Sequence, residues 1–232
     1  PMAYETIELD VSRSGVAIVL LNRPQRRNAF NGEVIAELSD VFETLSKTPE
    51  VRCVLLRGAG PVFSAGADIE WMRAAAGYSQ SENEEDAFAM AEMLRRLSTL
   101  PQPTLAMIHG AAMGGGVGLA AACDIVVAMR SARFAFSEVR LGIIPATISP
   151  YVIEAIGPRW ARALFITGET FEASFAQQIG LVQHLVADET EMDAAVERIT
   201  SQIFDGAPAA IADAKDLVQA VAGEMMDASL YR

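Results

Sequence analysis

Only two cysteines and two histidines occur in 232 residues, and their scarcity removes several kinds of chemistry at once. Cys53 and Cys123 stand singly in apolar contexts, without the close Cys/His spacing of a metal site, so no metal is expected. The same count gives no support to a disulfide framework, and both thiols read as buried. His109 and His184 are each isolated beside apolar strands and read as structural. Long apolar runs are also missing. None approaches the roughly 20 residues of a membrane span, and the N-terminus lacks the basic-then-apolar character of a secretory signal. A cytoplasmic protein without membrane attachment is expected. Basic residues are the minority, 18 against 30 acidic ones, for a net charge of −12. Nucleic acid is therefore not an expected partner, because phosphate binding needs a basic surface.

What is present is a globular composition, 51% apolar and 21% charged, long enough for one large domain or a core with a small appendage. The stretch Met107 to Asp124 organises it. Thr104 to Ile108 reads as a buried strand, Gly110 and Gly114-Gly115-Gly116 as a sharp turn, and Leu119 to Ala122 as a buried helix. A strand-glycine-helix junction leaves backbone N–H groups unpaired and attracts negative charge. No Lys-Ser/Thr follows the glycines and no acidic residue closes a following strand, so neither common nucleotide-phosphate pattern fits. A phosphate cradle, tight packing and an oxyanion site remain open on this stretch alone.

Around it, Ile7 to Val11 alternates as an edge or half-buried strand does. Ser14-Gly15 reads as a hairpin turn and Val16 to Leu21 as a fully buried strand. Asn31 caps a helix with Val34, Ile35, Leu38, Val41, Phe42 and Leu45 on one face. Thr48-Pro49-Glu50 stops that helix, and Val51 to Leu56 is the next buried strand. This order implies a parallel pair. Gly66, among small residues from Phe63 to Ile69, permits close backbone approach and a second N–H donor. Gly77 to Asp86 reads as a mobile loop leading into a helix that packs Phe88, Ala91, Leu94 and Leu97 inward. Asp124 to Met129 reads as a strand. Glu138, between Phe136 and Val139, would lose hydration and have its pKa raised, as a general acid/base near neutral pH requires; a surface carboxylate paired with Arg140 is the other reading. The densest basic segment is Arg23 to Arg27. Pro158 to Thr167, Phe171 to Ile179, Glu191 to Phe204 and Pro208 to Val221 read as helices.

Taken in order, Asn22-Arg23-Pro24 with Asn28-Ala29-Phe30-Asn31, then Phe63 to Ile69, then Gly110 and Gly114-Gly115-Gly116 through Cys123-Asp124, then Phe136-Ser137-Glu138 with Leu141 to Pro145, resemble the crotonase (enoyl-CoA hydratase/isomerase) family. The resemblance continues through Thr167 to Phe171 and Gly180-Leu181-Val182. It implies an α/β fold, a spiral of repeated ββα units over residues 1–186, with a helical C-terminal region, 187–232, used for association into homotrimers or hexamers. Members commonly continue for a further helix or two, so that region is expected to be incomplete. The implied substrate is an acyl thioester of coenzyme A, which leaves no separate cofactor to expect.

Carried over residue by residue, the oxyanion donors are the N–H groups of Ala67 and Gly115. Ala65, Gly66, Asp68, Ile69 and Gly114 line the substrate path, and Arg26 or Arg27 meets the coenzyme A phosphates. Glu138 is the acid/base. Typical hydratases carry a second glutamate where this chain has Gly118. Single-glutamate members are often double-bond isomerases, yet Phe136 to Val152 resembles a bacterial subgroup tied to methylglutaconyl-CoA hydration in leucine breakdown. In such a substrate Arg140 is a candidate partner for a distal carboxylate. Hydration, isomerisation and a non-catalytic or RNA-binding role are the readings; the presence of Glu138 and the acidic charge weigh against the last.

Overall fold

A computed structural model of the chain describes residues 3–222. Its main sheet runs β1-β2-β3-β4-β6-β9. β1 (Ile7–Val11) and β2 (Val16–Leu21) form the antiparallel hairpin. β3 (Cys53–Gly58), β4 (Thr104–Ile108), β6 (Ile125–Met129) and β9 (His184–Val186) then add in parallel. Two sequence expectations shift here. β2 alternates between buried and half-buried residues instead of being buried throughout, because one face of the sheet's hairpin side is only partly covered. β3 begins at Cys53 and runs on through Arg57 and Gly58, since parallel pairing with Leu20 and Leu21 extends it.

A second layer is built from very short segments. β5 (Ala111–Met113), β7 (Arg133–Ala135) and β8 (Thr170–Glu172) form one sheet, and parallel bridges join Ser64 to Ala112 and Phe30 to Ala67. Each turn of chain thus contributes a long strand to the main sheet, a short one to the second layer, and then a helix. That is the spiral of ββα units. The helices are α1 (Gly32–Ser46), α2 (Ile69–Ala75), α3 (Gln80–Ser98), α4 (Gly115–Ala121), α5 (Ser149–Thr167, kinked at Gly157), α6 (Ala173–Gln178), α7 (Glu189–Phe204) and α8 (Pro208–Val221).

The Asn31 side chain accepts the Val34 N–H at the start of α1, whose six periodic apolar residues are all buried. Periodicity fails further on. The stretch from Ser79 is helical from its first turn, held by a reciprocal Ser79/Glu82 capping box. Phe88 is 70% exposed and Ala91 half-buried, while Leu94 and Leu97 face inward as expected, joined by Met90 and Met93. Residues 81–85 have no core beneath them, so nothing ties the apolar period to a buried face there. The expected helix at Phe171 is split, with Phe171 in β8 and the helix starting at Ala173.

The main core lies between the sheet and α1, α3, α4, α5 and α6. α7 covers the opposite face through Met192, Ala195, Val196 and Ile199. Cys53 and Cys123 are both buried and free. Among the described residues, no helix is long and apolar enough to cross a membrane. Residues 223–232 of the expected C-terminal region lie outside the described residues.

Candidate active site

The site grows from the place where two turns of the spiral touch. β5 ends at Met113, and Gly114 adopts φ 50°, ψ −116° to start α4 at Gly115, a conformation that L side chains rarely adopt. The helix therefore begins at the glycines, earlier than the sequence suggests, and without a side-chain cap. Val117 and Gly118 donate their N–H groups to Gly114 O. The Gly115 N–H has no protein acceptor among the described residues.

On the neighbouring turn, the N–H groups of Phe30 and Asp68 bond Gly66 O and Phe30 O. In a parallel ladder this pattern turns the N–H of the intervening Ala67 to the opposite edge. On that edge Ser64 pairs with Ala112, and the Ala67 N–H is also without an acceptor among the described residues. Gly66, at φ 87°, lets the strands approach: a Cβ there would lie 2.8 Å from Met113 O and 3.7 Å from Gly115 N. Two unpaired donors thus belong to adjacent segments with no side chain between them.

Lack of space explains the neighbouring glycines. A Cβ would meet Glu138 Oε1 at 2.8 Å from Gly114, the Phe30 ring at 3.0 Å from Gly115, and Ser64 Cβ at 2.9 Å from Gly116. At Gly118 it would collide with Ile148, 2.6 Å from its Cβ and closer still to Cγ2. Glu138 follows β7 in a short 3-10 turn, Glu138–Leu141, and the Gly114 N–H bonds Ala135 O at 2.8 Å to tie that segment to α4. Its carboxyl packs against Gly114, and Oε2 is buried without a partner. Burial raises its pKa above the ordinary glutamate value. No ion pair with Arg140 forms; the Arg140 Nε instead lies 3.1 Å from where a Gly168 Cβ would sit.

A cleft of about 400 Å³ opens beside Ala67, lined by Arg26, Arg27, Ala65, Asp68 and Ile69 among others. These residues have different tasks. Asp68 caps α2 by accepting the Glu70 and Trp71 N–H groups and pairs with Arg23 at 3.3 Å. Burial pushes its carboxyl upward, but those N–H bonds and Arg23 outweigh it and hold the pKa low. This carboxylate shapes the cleft and is already occupied within the protein. Arg26 pairs with exposed Glu70 at 2.8 Å. Arg27, with φ 51°, has no side-chain acceptor among the described residues. Ile69 is exposed.

The model of the family described as enoyl-CoA hydratase/isomerase matches residues 12–230. The chain belongs to that family. A Thermus thermophilus protein provisionally named an enoyl-CoA hydratase is 34% identical, over 93% of this chain and 85% of its own. The crystal structure of an enoyl-CoA hydratase from Shewanella pealeana superposes with a TM-score of 0.94 at 33% identity, covering 98% of this chain and 84% of that one. A mitochondrial Delta(3,5)-Delta(2,4)-dienoyl-CoA isomerase of Dictyostelium discoideum is 28% identical over 99% of this chain and 82% of its own. The α/β spiral is thus the fold of the enoyl-CoA hydratase/isomerase family, which contains both kinds of name.

Within that family frame, the structure brings Ala67, Gly114, Gly115 and Glu138 together and leaves Arg140 exposed, its side chain near Gly168. His109 bonds Gly60 O at 2.7 Å, away from these groups. No cluster of His, Cys, Asp and Glu suited to a metal occurs among the described residues. Sequence reasoning did not single out Ile148, although the resemblance marks Ala146 to Pro150, in place of a usual glycine-rich segment, as changing the shape of the acyl pocket. The vacancy of a side chain at Gly118 was a signal that something else must fill that volume, but which residue does so is a matter of packing across 30 positions.

Proposed function

We propose that this protein is an enoyl-CoA hydratase in which one carboxyl performs both proton transfers. The observation that carries the reading is the Glu138 carboxyl, its Oε2 buried without a partner, lying against Gly114, one residue from the free Gly115 N–H. The thioester oxygen is held by Ala67 and Gly115. Glu138 takes a proton from water as the water oxygen bonds to C3, and electron density moves to the thioester oxygen. The protonated carboxyl then returns its proton to C2 as the carbonyl re-forms. One water supplies both added groups, so atoms balance with a single acid/base. Each preorganised donor contributes about 2.7–4 kcal/mol to the charged state. Coenzyme A is part of the substrate, and no other cofactor is required. Its pantetheine and phosphates follow the cleft past Ala65, Gly66 and Ile69 toward Arg26 and Arg27.

A branched or dicarboxylic acyl group such as methylglutaconyl is the preferred substrate, with exposed Arg140 as the candidate for a distal carboxylate. The protein works as a cytoplasmic homotrimer or hexamer; exposed Val139, Leu141, Ile143 and Ile144 beside Glu138 supply apolar surface for such contacts. A second reading, double-bond isomerisation, has its own support. Ile148 occupies the space a side chain at 118 would need, leaving Glu138 to carry a proton between C2 and C4.

Crotonyl-CoA and methylglutaconyl-CoA separate the two readings when ultraviolet absorbance of the conjugated thioester and product mass are followed together. Loss of conjugation with gain of one water, abolished in Glu138→Gln, supports hydration. Appearance of conjugation from a 3-enoyl-CoA, without hydration, establishes the isomerase instead.

A further inference from the structure

Gly114, the residue before α4, and Gly118 lie about one turn apart. The first touches the Glu138 carboxyl and the second is covered by Ile148. Ile148 is 2% exposed. It precedes α5, where its carbonyl accepts the Val152 N–H at 3.1 Å, so its position is set by the packing of α5 against α4. Gly118 lies three positions after Gly115, about 4.5 Å along a helix. The substituent on C3 stands three bonds of about 1.5 Å from the carbonyl carbon, a zigzag span of about 4 Å. An acyl chain anchored by its carbonyl at Gly115 and running beside α4 therefore brings C3 and its substituent to the Ile148 side chain.

We propose that Ile148 is the specificity-determining residue of the site, selecting the substituent on C3 by filling the volume that position 118 leaves vacant. The inference rests on the assignment of Gly115 and Glu138 given above. Its steric content is a size pair: position 118 tolerates a side chain only when position 148 is cut back. Its functional content is that shortening Ile148 admits bulk at C3. A pocket discriminates one methyl or methylene by about 10–200-fold.

The test compares kcat/KM for crotonyl-CoA and for its 3-methyl-branched counterpart in the wild type, Ile148→Val and Ile148→Ala. The ratio is expected to move toward the branched thioester by about tenfold in Ile148→Ala and by less in Ile148→Val. A ratio within twofold of wild type in both variants overturns the proposal, since a purely structural role would lower both substrates together. Melting temperature supplies a second readout that needs no substrate. Gly118→Ala is expected to lower it in the wild type and to lower it less in the Ile148→Ala background, where Cγ2 is gone although Cβ still lies 2.6 Å from the added methyl; equal losses in both backgrounds refute the size pair. Failure of the wild type to turn over any enoyl-CoA thioester overturns the assigned activity and this proposal together. Wild-type turnover abolished by Glu138→Gln, with an unmoved ratio in the Ile148 variants, overturns only the role of Ile148.

Discussion

Asp124 and Glu138 flank opposite ends of α4, and their surroundings differ in nearly every respect. Asp124 Oδ2 accepts the Thr104 N–H at 2.8 Å and the Thr104 hydroxyl at 3.2 Å, and Lys215 Nζ is 2.7 Å away. Lys215 also donates to Leu100 O and Gln102 O, at 2.6 and 2.9 Å, so this carboxylate joins β4, β6 and α8. Glu138 has an orphaned oxygen and a pKa raised by burial. A carboxylate whose lone pairs are met within the protein holds elements together. One left with an unmet oxygen beside free N–H donors is suited to exchange a proton with something else.

The comparison breaks most sharply at Glu138. Glu138→Gln keeps the shape and removes the proton exchange, and kcat is expected to fall about 10²–10⁴-fold. The melting temperature should hold or rise. A carboxyl whose folded pKa is raised favours its protonated form in the fold, so ionisation at neutral pH costs stability that the amide does not lose. A fall in melting temperature with activity retained would make Glu138 a structural group like Asp124.

Lys215→Met should do the reverse. It strands a half-buried carboxylate and unties α8, at a cost of about 2 kcal/mol, or about 4–8 °C in melting temperature for a chain of this size. The value is set below that of a fully buried pair because the two side chains remain 13% and 29% exposed. Turnover per folded molecule is expected to stay within a few-fold of wild type, measured after correcting for the folded fraction.

Gly66→Ala lies between the two regions in character. Its positive φ and the 2.8 Å approach of a new Cβ to Met113 O should cost about 1–3 kcal/mol. Unlike Lys215→Met, it should also lower kcat, because the segments bearing Ala67 and Gly115 would part. Equal kcat in the folded protein would remove Ala67 from the site.

The sequence made the reactive half of this contrast legible and offered no sign of the Asp124–Lys215 pair, whose partners lie on separate elements. Asn31 with its periodic apolar residues defined α1 because a cap and an amphipathic face are local signals. Glu138 was marked by apolar neighbours in the chain, and the structure gives the same desolvation. Other features escaped. α2 has only seven residues, none buried, so no apolar stripe announced it, and its cap Asp68 was read as lining a path. The capping box at Ser79 and Glu82 was legible in principle but lay within an acidic stretch that resembled a loop. The Gly118/Ile148 contact had no local signature, because complementary volume on α4 and α5 arises only after the spiral closes.

The smallest expected effect is also the most discriminating between the two carboxyls. Glu138 must be ionised to take a proton, so kcat/KM should rise with pH along an acid limb governed by its pKa in the free enzyme. Burial outweighs a hydrogen bond from its own backbone N–H and shifts that pKa upward, and the limb should have its midpoint above the ordinary glutamate value of about 4.3. As pH rises through the same interval, wild type should lose stability relative to Glu138→Gln, since the proton favoured by the fold is being removed. Lys215→Met should leave the limb where it is, because its change falls at the far end of α4. The pH–rate profiles of wild type and Lys215→Met, with melting curves of wild type and Glu138→Gln across the same range, check all three consequences. A midpoint at or below the ordinary value would place water around the Glu138 carboxyl, and the contrast with Asp124 would then rest on hydrogen bonding alone.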